Sequence, residues 1–315
     1  MTPQYTKKPI AKISSLCKLL NITHQGLLKL SSNSDKFFFI TKTIDKPDGE
    51  KRITFDVKEN LKAIHRLIKS RIFSNILYPQ YLQGSIKGRY YIGNCQIHTG
   101  QRLVISEDIK NFFPSINSDV IYRMWLKLFG FSPEVASILT ELVTFQGSLP
   151  QGAITSSYIA NLVLWEQEPI LVKKLSHKGI KYSRYIDDIT ISSEQFLSKN
   201  EITNIISEVI QMIFSIGGKP NRKKHCIMPS HGPQSVHNLN VNSDYPTLPK
   251  KERKKLRAQV YKLERFAEFA IGGEQYEKEY KSLFGKISRM AQLHPVEGGK
   301  LKERLNAIKP NSDLR

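Results

Sequence analysis

The sequence predicts an α+β fold, and three observations carry that prediction. Residues 180–185 and 189–192 are short runs of β-branched and aromatic residues on either side of Asp187-Asp188, the pattern of a hairpin with acids at its tip. Residues 102–109 form another strand-like run with period-two alternation. Elsewhere apolar residues recur at helical spacing, as in Leu61, Ile64, Leu67, Ile68 and Ile72 over 57–77.

Taken in order, residues 9–30 read as two short helices, with Ile10, Ile13, Leu16, Leu19 and Leu20 forming an apolar stripe. Residues 36–56 read as a hairpin in which Phe37-Phe38-Phe39-Ile40 leads out, Lys46-Pro47-Asp48-Gly49 turns, and Arg52-Ile53-Thr54-Phe55 returns. The amphipathic helix over 57–77 follows. In the run 102–109, alternation places Asp108 on the face of Val104 and Ser106, with Glu107 pointing the other way. Pro114 is expected to stop this strand and hand the chain to a helix beginning near Ser118. Residues 146–157 are a Gly/Pro/Ser-rich loop opening a helix through Tyr158, Leu162 and Leu164. Its small residues permit close approach of a ligand, and a helix N-terminus favours anionic groups. After the 180–192 hairpin the character changes near Pro246 and Pro249. Lys250-Lys251-Glu252-Arg253-Lys254-Lys255 begins a basic helix with Leu256, Val260, Leu263, Phe266 and Ala270 on one face, ended by Gly272-Gly273. A second helix over about 275–292 and a short Lys-rich third one complete the series, and the tail after Pro310 is expected to be disordered.

Composition bounds the function. The chain has 315 residues, 40% of them hydrophobic, enough to bury a substantial core. Its formal net charge of +20 points to a polyanionic partner, most simply nucleic acid. No apolar run approaches the roughly 20 residues that span a bilayer, so no membrane partner and a cytoplasmic location are expected. Cys17, Cys95 and Cys226 lack Cys-x-x-Cys spacing, and His231 and His237 supply no second pair, which argues against a disulfide framework or structural zinc.

The acids carry the chemistry. Adjacent carboxylates at a hairpin tip repel one another unless a cation lies between them and a further ligand, and Asp108 is the candidate third carboxylate. Each segment has a plainer interpretation: Asp-Asp is a common turn, Asp108 could end a surface strand or cap a helix, and 146–157 could be a simple connection.

Together the three segments resemble motifs A, B and C of a reverse transcriptase palm, and the chain as a whole resembles the retron type. The resemblance rests on Asp108 with Phe112-Phe113-Pro114-Ser115, on Leu149-Pro150-Gln151-Gly152 with Ser156-Ser157, and on Tyr185-Ile186-Asp187-Asp188. It extends to Pro47–Ile53 and to the segment 218–227, and covers roughly residues 35–290. Asn94-Cys95-Gln96-Ile97-His98 is similar to the Asn-Ala-x-x-His element of retron enzymes, with Cys95 in place of Ala. Val236-His237-Asn238-Leu239 departs from the Val-Thr-Gly that such enzymes carry near the thumb.

What the resemblance implies is a right-hand polymerase fold: an N-terminal helical segment (1–34), fingers with part of the palm (35–100), a palm with an antiparallel sheet packed on helices (101–245), a helical thumb (246–309) and a tail (310–315). The implied activity is RNA-directed DNA synthesis, with Asp108, Asp187 and Asp188 as catalytic residues. With the Ile109 carbonyl they would hold two Mg²⁺ ions, Mn²⁺ being a substitute. Lys51 and Arg52 would grip the dNTP triphosphate, Phe113 would exclude a ribose 2′-hydroxyl, and Gln151 and Gly152 would line the nucleotide pocket. Lys219, Lys223 and Lys224 are candidates to act on the leaving pyrophosphate, without a choice among them. Asn94, His98, Lys251, Arg253, Lys254, Lys255 and Arg257 are the implied RNA-binding residues. The implied partners are a cognate structured noncoding RNA, primed from a guanosine 2′-hydroxyl to give branched multicopy single-stranded DNA, the cDNA product, an effector protein of the same anti-phage system, and host RNase H. No separate RNase H, endonuclease or protease segment is expected in this length, and the maturase region and frequent endonuclease that intron enzymes carry beyond the thumb are not expected either, which argues against the alternative of a group II intron-like enzyme. The further alternatives are another defence-associated reverse transcriptase with a different primer, and a catalytically idle palm that binds RNA.

Overall fold

The computed structural model describes residues 2–46, 49–270 and 273–310. The fold is α+β, and it divides into two compact units: Met1–Asn94 with Arg102–Ile227, and Cys95–Gln101 with Met228–Arg315.

In the first unit a short strand β1 (Gln4–Tyr5) is followed by helices α1 (Ile13–Leu20) and α2 (His24–Ser31). Asn21 ends α1 in the left-handed conformation, and the Thr23 side chain caps α2 by accepting from the Gly26 amide. Strands β2 (Phe38–Asp45) and β3 (Lys51–Val57) form the expected hairpin, paired from Phe38↔Val57 to Asp45↔Lys51. Of its predicted turn, Pro47 and Asp48 lie outside the described residues. The predicted 57–77 helix is shorter, as α3 (Glu59–Arg71). The Ser74 hydroxyl and the Asn75 amide donate back to the carbonyls of Ser70 and Arg71, which favours a 3₁₀ turn over continued helix before β4 (Ile76–Leu77). Helix α4 (Tyr91–Ile97) comes next, its residues from Cys95 onward being assigned to the second unit.

Strand β5 (Leu103–Lys110) is where expected, but Asn111, not Pro114, ends it. Asn111 takes a left-handed φ of 49°, and Pro114 sits inside the short helix α5 (Phe112–Ser115). Helix α6 (Ser118–Lys127) begins at the predicted residue because the Asn117 side chain accepts from the Val120 amide at 2.9 Å. Helix α7 (Pro133–Val143) starts with proline, whose missing N–H costs nothing in the first turn. Helix α8 (Ser156–Leu162) closes before the predicted Leu164, and α9 (Glu168–His177) follows. Strands β6 (Lys181–Tyr185) and β7 (Asp188–Ser193) make the second predicted hairpin. Helix α10 (Lys199–Phe214) opens with a full capping box between Ser198 and Glu201. Strands β8 (Lys219–Pro220) and β9 (Cys226–Pro229) complete a five-stranded sheet with order β6-β7-β5-β8, β9 also pairing β5. Its apolar side chains, including Ile105, Ile109, Ile189 and Ile191, join one large core with Trp125, Phe129 and Phe131.

The second unit holds strands β10 (Ser235–Val236) and β11 (Leu239–Asn240) and helices α11 (Lys250–Ala270), α12 (Glu274–Leu293) and α13 (Pro295–Ala307). The two-residue turn between β10 and β11 is His237-Asn238, both left-handed at φ 49° and 61°. Such a turn favours Gly or Asn, so Asn238 meets the backbone requirement where the Val-Thr-Gly pattern has Gly. On α11 the buried face is Leu256, Val260, Leu263 and Ala267. Phe266, expected on that face, is 36% exposed, because the 4-3-4 spacing selects Ala267 instead. The Ala270 side chain and Gly272 lie outside the described residues, as does the tail 311–315. No helix among the described residues is long and apolar enough to cross a membrane. Cys17 and Cys95 are buried, Cys226 is exposed, and all are free thiols.

Candidate active site

The register of β5 against β7 builds the site. The two strands pair from Leu103↔Ser193 to Asp108↔Asp188, so these two acids lie directly opposite one another. Tyr185 pairs with Asp188, which leaves Ile186 and Asp187 as the whole turn. The Asp187 carbonyl accepts from the Ile109 amide at 3.1 Å, tying the hairpin tip to the end of β5. Asp108 thus meets the sequence-distant Asp187-Asp188 pair at one corner of the sheet.

That corner stores electrostatic conflict. Burial, then the adjacent Asp187 and Asp108 carboxylates, push the Asp188 carboxyl up to about 7. Burial and Asp108 raise Asp187 likewise. The charge that answers them is Lys224, whose ammonium pairs with Asp108 Oδ1, while Asn221 Nδ2 donates to Asp108 Oδ2 at 2.9 Å. Burial works to lower the Lys224 pKa, but its hydrogen bond to Asp108 and the three carboxylate charges raise it above the ordinary ammonium value. Among the described residues no three His, Cys, Asp or Glu side chains form a ready cage for an ion. The donors nonetheless fit a hard divalent cation: all are carboxylate oxygens, mutually repulsive, and already drawn to a positive charge.

The other predicted residues fall into two groups. Arg52 is exposed on β3, and its charge is felt by Asp187; Lys51 is its exposed neighbour. Phe113 is half-buried beside the fully buried Phe112, with ring centroids 6.1 Å apart. The Gln151 carbonyl accepts from the Phe55 amide at 2.8 Å, and Gly152, at φ 110°, lies so close to β3 that a Cβ would sit 2.6 Å from the Phe55 carbonyl oxygen. The Ser156 hydroxyl donates to the Pro150 carbonyl at 2.6 Å and shapes the same loop. Lys219 and Lys223 are exposed; of the three candidate lysines, Lys224 alone has a described ion pair with a site carboxylate.

The residues expected to bind RNA differ in exposure. Asn94 and His98 are both buried. Arg253 and Arg257 both pair with Glu297, at 2.7 and 3.3 Å, which ties α11 to α13 within the second unit. Lys251, Lys254 and Lys255 are exposed on α11.

Sequence reasoning missed several participants. Asn221 carried no signal beyond its place in a basic segment. Glu50 bonds Lys110, at 2.6 Å, and Asn111, at 3.3 Å, and Lys110 first among its neighbours holds its carboxyl down to about 2. Glu107 is buried on the opposite side of β5 and pairs with His225 at 2.6 Å. Arg184 and Glu168 are both buried and pair with one another, a buried charge needing a partner, but neither the mixed sequence of β6 nor the start of α9 announced that burial.

The family described as Reverse transcriptase (RNA-dependent DNA polymerase) matches residues 44–255. The chain belongs to this family. It is of the retron type: it is 37% identical over 321 residues to the Retron Se72 reverse transcriptase of Salmonella heidelberg (strain 579083-10), covering 99% of this chain and 83% of that one. It is 30% identical to the Retron Ec48 reverse transcriptase of Escherichia coli, over 98% of this chain and 78% of the relative. A solved structure of the foamy viral protease-reverse transcriptase dRH in complex with ds DNA matches at TM-score 0.40 and 15% identity, over 96% of this chain and 53% of that one. The protein is therefore an RNA-directed DNA polymerase, with nucleic acid as its partner.

Proposed function

We propose that the protein reverse transcribes its own structured noncoding RNA, beginning from a guanosine 2′-hydroxyl, to make branched, RNA-linked multicopy single-stranded DNA in a bacterial anti-phage retron. The observation that supports the site assignment is the register pairing Asp108 with Asp188 beside the tethered Asp187. In this reading residues 35–100 act as fingers, 101–245 as palm and 246–309 as thumb. An effector protein encoded with the enzyme and host RNase H complete the system.

Asp108, Asp187, Asp188 and the Ile109 carbonyl would hold two Mg²⁺ ions, or Mn²⁺ in their place. Bound there, such ions stabilise the attacking and departing oxygens of an in-line displacement at the α-phosphate. The remaining work falls to the chain's own groups. Arg52, with Lys51, clamps the triphosphate oxygens, the planar guanidinium being able to hold two at once. Phe113 packs beneath the sugar and leaves no room for a 2′-hydroxyl. Gln151 and Gly152 line the nucleotide pocket. Lys224, paired with Asp108, is placed to neutralise or protonate the departing pyrophosphate.

The test is the nucleic acid that copurifies with the protein, followed by primer extension with Mg²⁺ and dNTPs. A hybrid carrying a 2′,5′ branch at a guanosine is expected. Linear cDNA alone would refute the priming assignment while leaving the polymerase intact.

A further inference from the structure

Arg184 occupies an interior position of β6, and both it and Glu168 are buried, at 0% and 1% exposure. Its five N–H donors are all used. Nε and Nη2 reach Glu168 at 2.6 and 2.8 Å, and Nη2 also reaches the Asn161 carbonyl at 3.0 Å. Nη1 donates to the carbonyls of Ala160 at 3.1 Å and Ile186 at 2.9 Å. The Tyr182 hydroxyl donates at 2.8 Å to Glu168 Oε1, the oxygen that also accepts from Arg184 Nε. Ala160 and Asn161 belong to α8, the helix opened by the Gln151-Gly152 loop, and Ile186 precedes Asp187 in the turn. One planar cation thus joins that helix to the acidic turn.

The turn needs holding. Ile186 has φ 60°, a left-handed conformation that is costly for a β-branched residue. Its carbonyl is fixed by Arg184, and its other side meets Gly84, where an added Cβ would lie 2.7 Å from Ile186 Cγ1 and 2.8 Å from its amide nitrogen. Asn161 Nδ2 donates to the Gly84 carbonyl at 2.7 Å, so α8 secures both jaws. Residues 81–84 are stitched along β6 by bonds of 2.8 Å from the Arg184 amide to the Tyr81 carbonyl and from the Gln83 amide to the Arg184 carbonyl. A buried ion pair of this kind contributes little net stability compared with apolar packing, so its use here is directional.

We propose that Arg184 is a positioning residue for DNA synthesis: through the Ile186 carbonyl it holds the strained turn and sets the direction of the Asp187 and Asp188 carboxylates, touching neither substrate nor metal. The proposal rests on the catalytic reading of those two acids.

The test compares Arg184→Lys, Ile186→Gly and the double variant in primer extension across a Mg²⁺ titration, with melting temperatures measured in parallel. Lysine keeps a charge for Glu168 but lacks the fork that spans Glu168 and Ile186 together. Arg184→Lys is expected to lose roughly 10- to 100-fold in kcat, the scale of a small misplacement of reacting groups. It should also need more Mg²⁺ for half-maximal rate, with KM for dNTP little changed. Glycine adopts φ 60° without penalty, so the double variant should recover activity and Mg²⁺ response relative to Arg184→Lys. Wild-type kcat and Mg²⁺ requirement in Arg184→Lys, or a loss that glycine fails to relieve in folded protein, overturns the proposal. Should Arg184→Lys not fold, Gly84→Ala displaces the same turn from its other side, and an unaltered Mg²⁺ requirement there overturns it equally. Asp188→Asn separates the two levels: if that variant extends like wild type, the catalytic reading itself falls, whereas its inactivity alongside an unaffected Arg184→Lys removes only the positioning role.

Discussion

The Ile109 amide donates to the Asp187 carbonyl at 3.1 Å, so the residue next to one site acid is bonded to the backbone of another. With Asp108 opposite Asp188 in the ladder, the backbone forces the carboxylates together whatever their charge. Side-chain changes at these acids should therefore alter chemistry more than fold.

Asp187→Asn and Asp188→Asn are expected to lower primer extension by about 10³-fold or more, the scale of losing several kcal/mol of charge stabilisation. RNA binding should persist in a filter or mobility assay. Because the Asp188 carboxyl is raised to about 7, the ionised form opposes folding increasingly as pH rises from near 4 through 7. In EDTA at pH 8, Asp188→Asn should melt at a higher temperature than wild type, an outcome a simple structural role would not give.

Phe113→Ala opens the space proposed to lie under the sugar. The ratio of kcat/KM for dNTP over rNTP should fall about 10-fold or more, within the range that shape exclusion supplies. An unchanged ratio would return Phe113 to a packing role beside Phe112.

Lys224, salt-bridged to Asp108, is the lysine proposed to act on the departing pyrophosphate. Lys224→Ala should reduce kcat by about 10² or more, the lower range for a positioned proton donor, whereas Lys219→Ala and Lys223→Ala should cost less. Equal losses for all three would point to general electrostatic attraction instead.

Gly152→Ala should disturb the contact between the 146–157 loop and β3, since its Cβ would press on the Phe55 carbonyl at a φ only glycine adopts readily. A cost of roughly 1–3 kcal/mol is expected, read as a melting temperature lower by several degrees and a raised KM for dNTP.

His65 links α3 to α7: its Nε2 donates to the Leu142 carbonyl at 2.7 Å, and burial holds its pKa down to about 4. Unfolded histidine titrates near 6.5, so the unfolded state binds more protons between about 6.5 and 4. Stability should be unaffected above that window and fall as pH drops through it, by on the order of 3 kcal/mol at its lower end. His65→Gln, which retains a donor, should show a flatter dependence of melting temperature between pH 7 and 5.

Much of the framework was legible because it depends on local pattern. The two hairpins, the start of α6 and the helices α11–α13 follow from alternation, capping residues and helical spacing. Errors arose where short-range competition decides: Asn111 ends β5 ahead of Pro114, Ser74 and Asn75 pull α3 into a 3₁₀ turn, and Ala267 displaces Phe266 from the buried face. The burial of Asn94 and His98 was not legible, since polarity in a sequence does not report burial.

By itself the sequence determined that Asp108 and the Asp187-Asp188 pair stand at strand ends, because the period of a strand and the chemistry of a turn are properties of neighbouring residues. Only the tertiary structure decided that Asp108 faces Asp188, that Lys224 answers them among three lysines, and that Arg184 holds the turn through Ile186. Those relations join residues far apart in the chain, and they are set by strand register and by the need of each buried charge to find a partner.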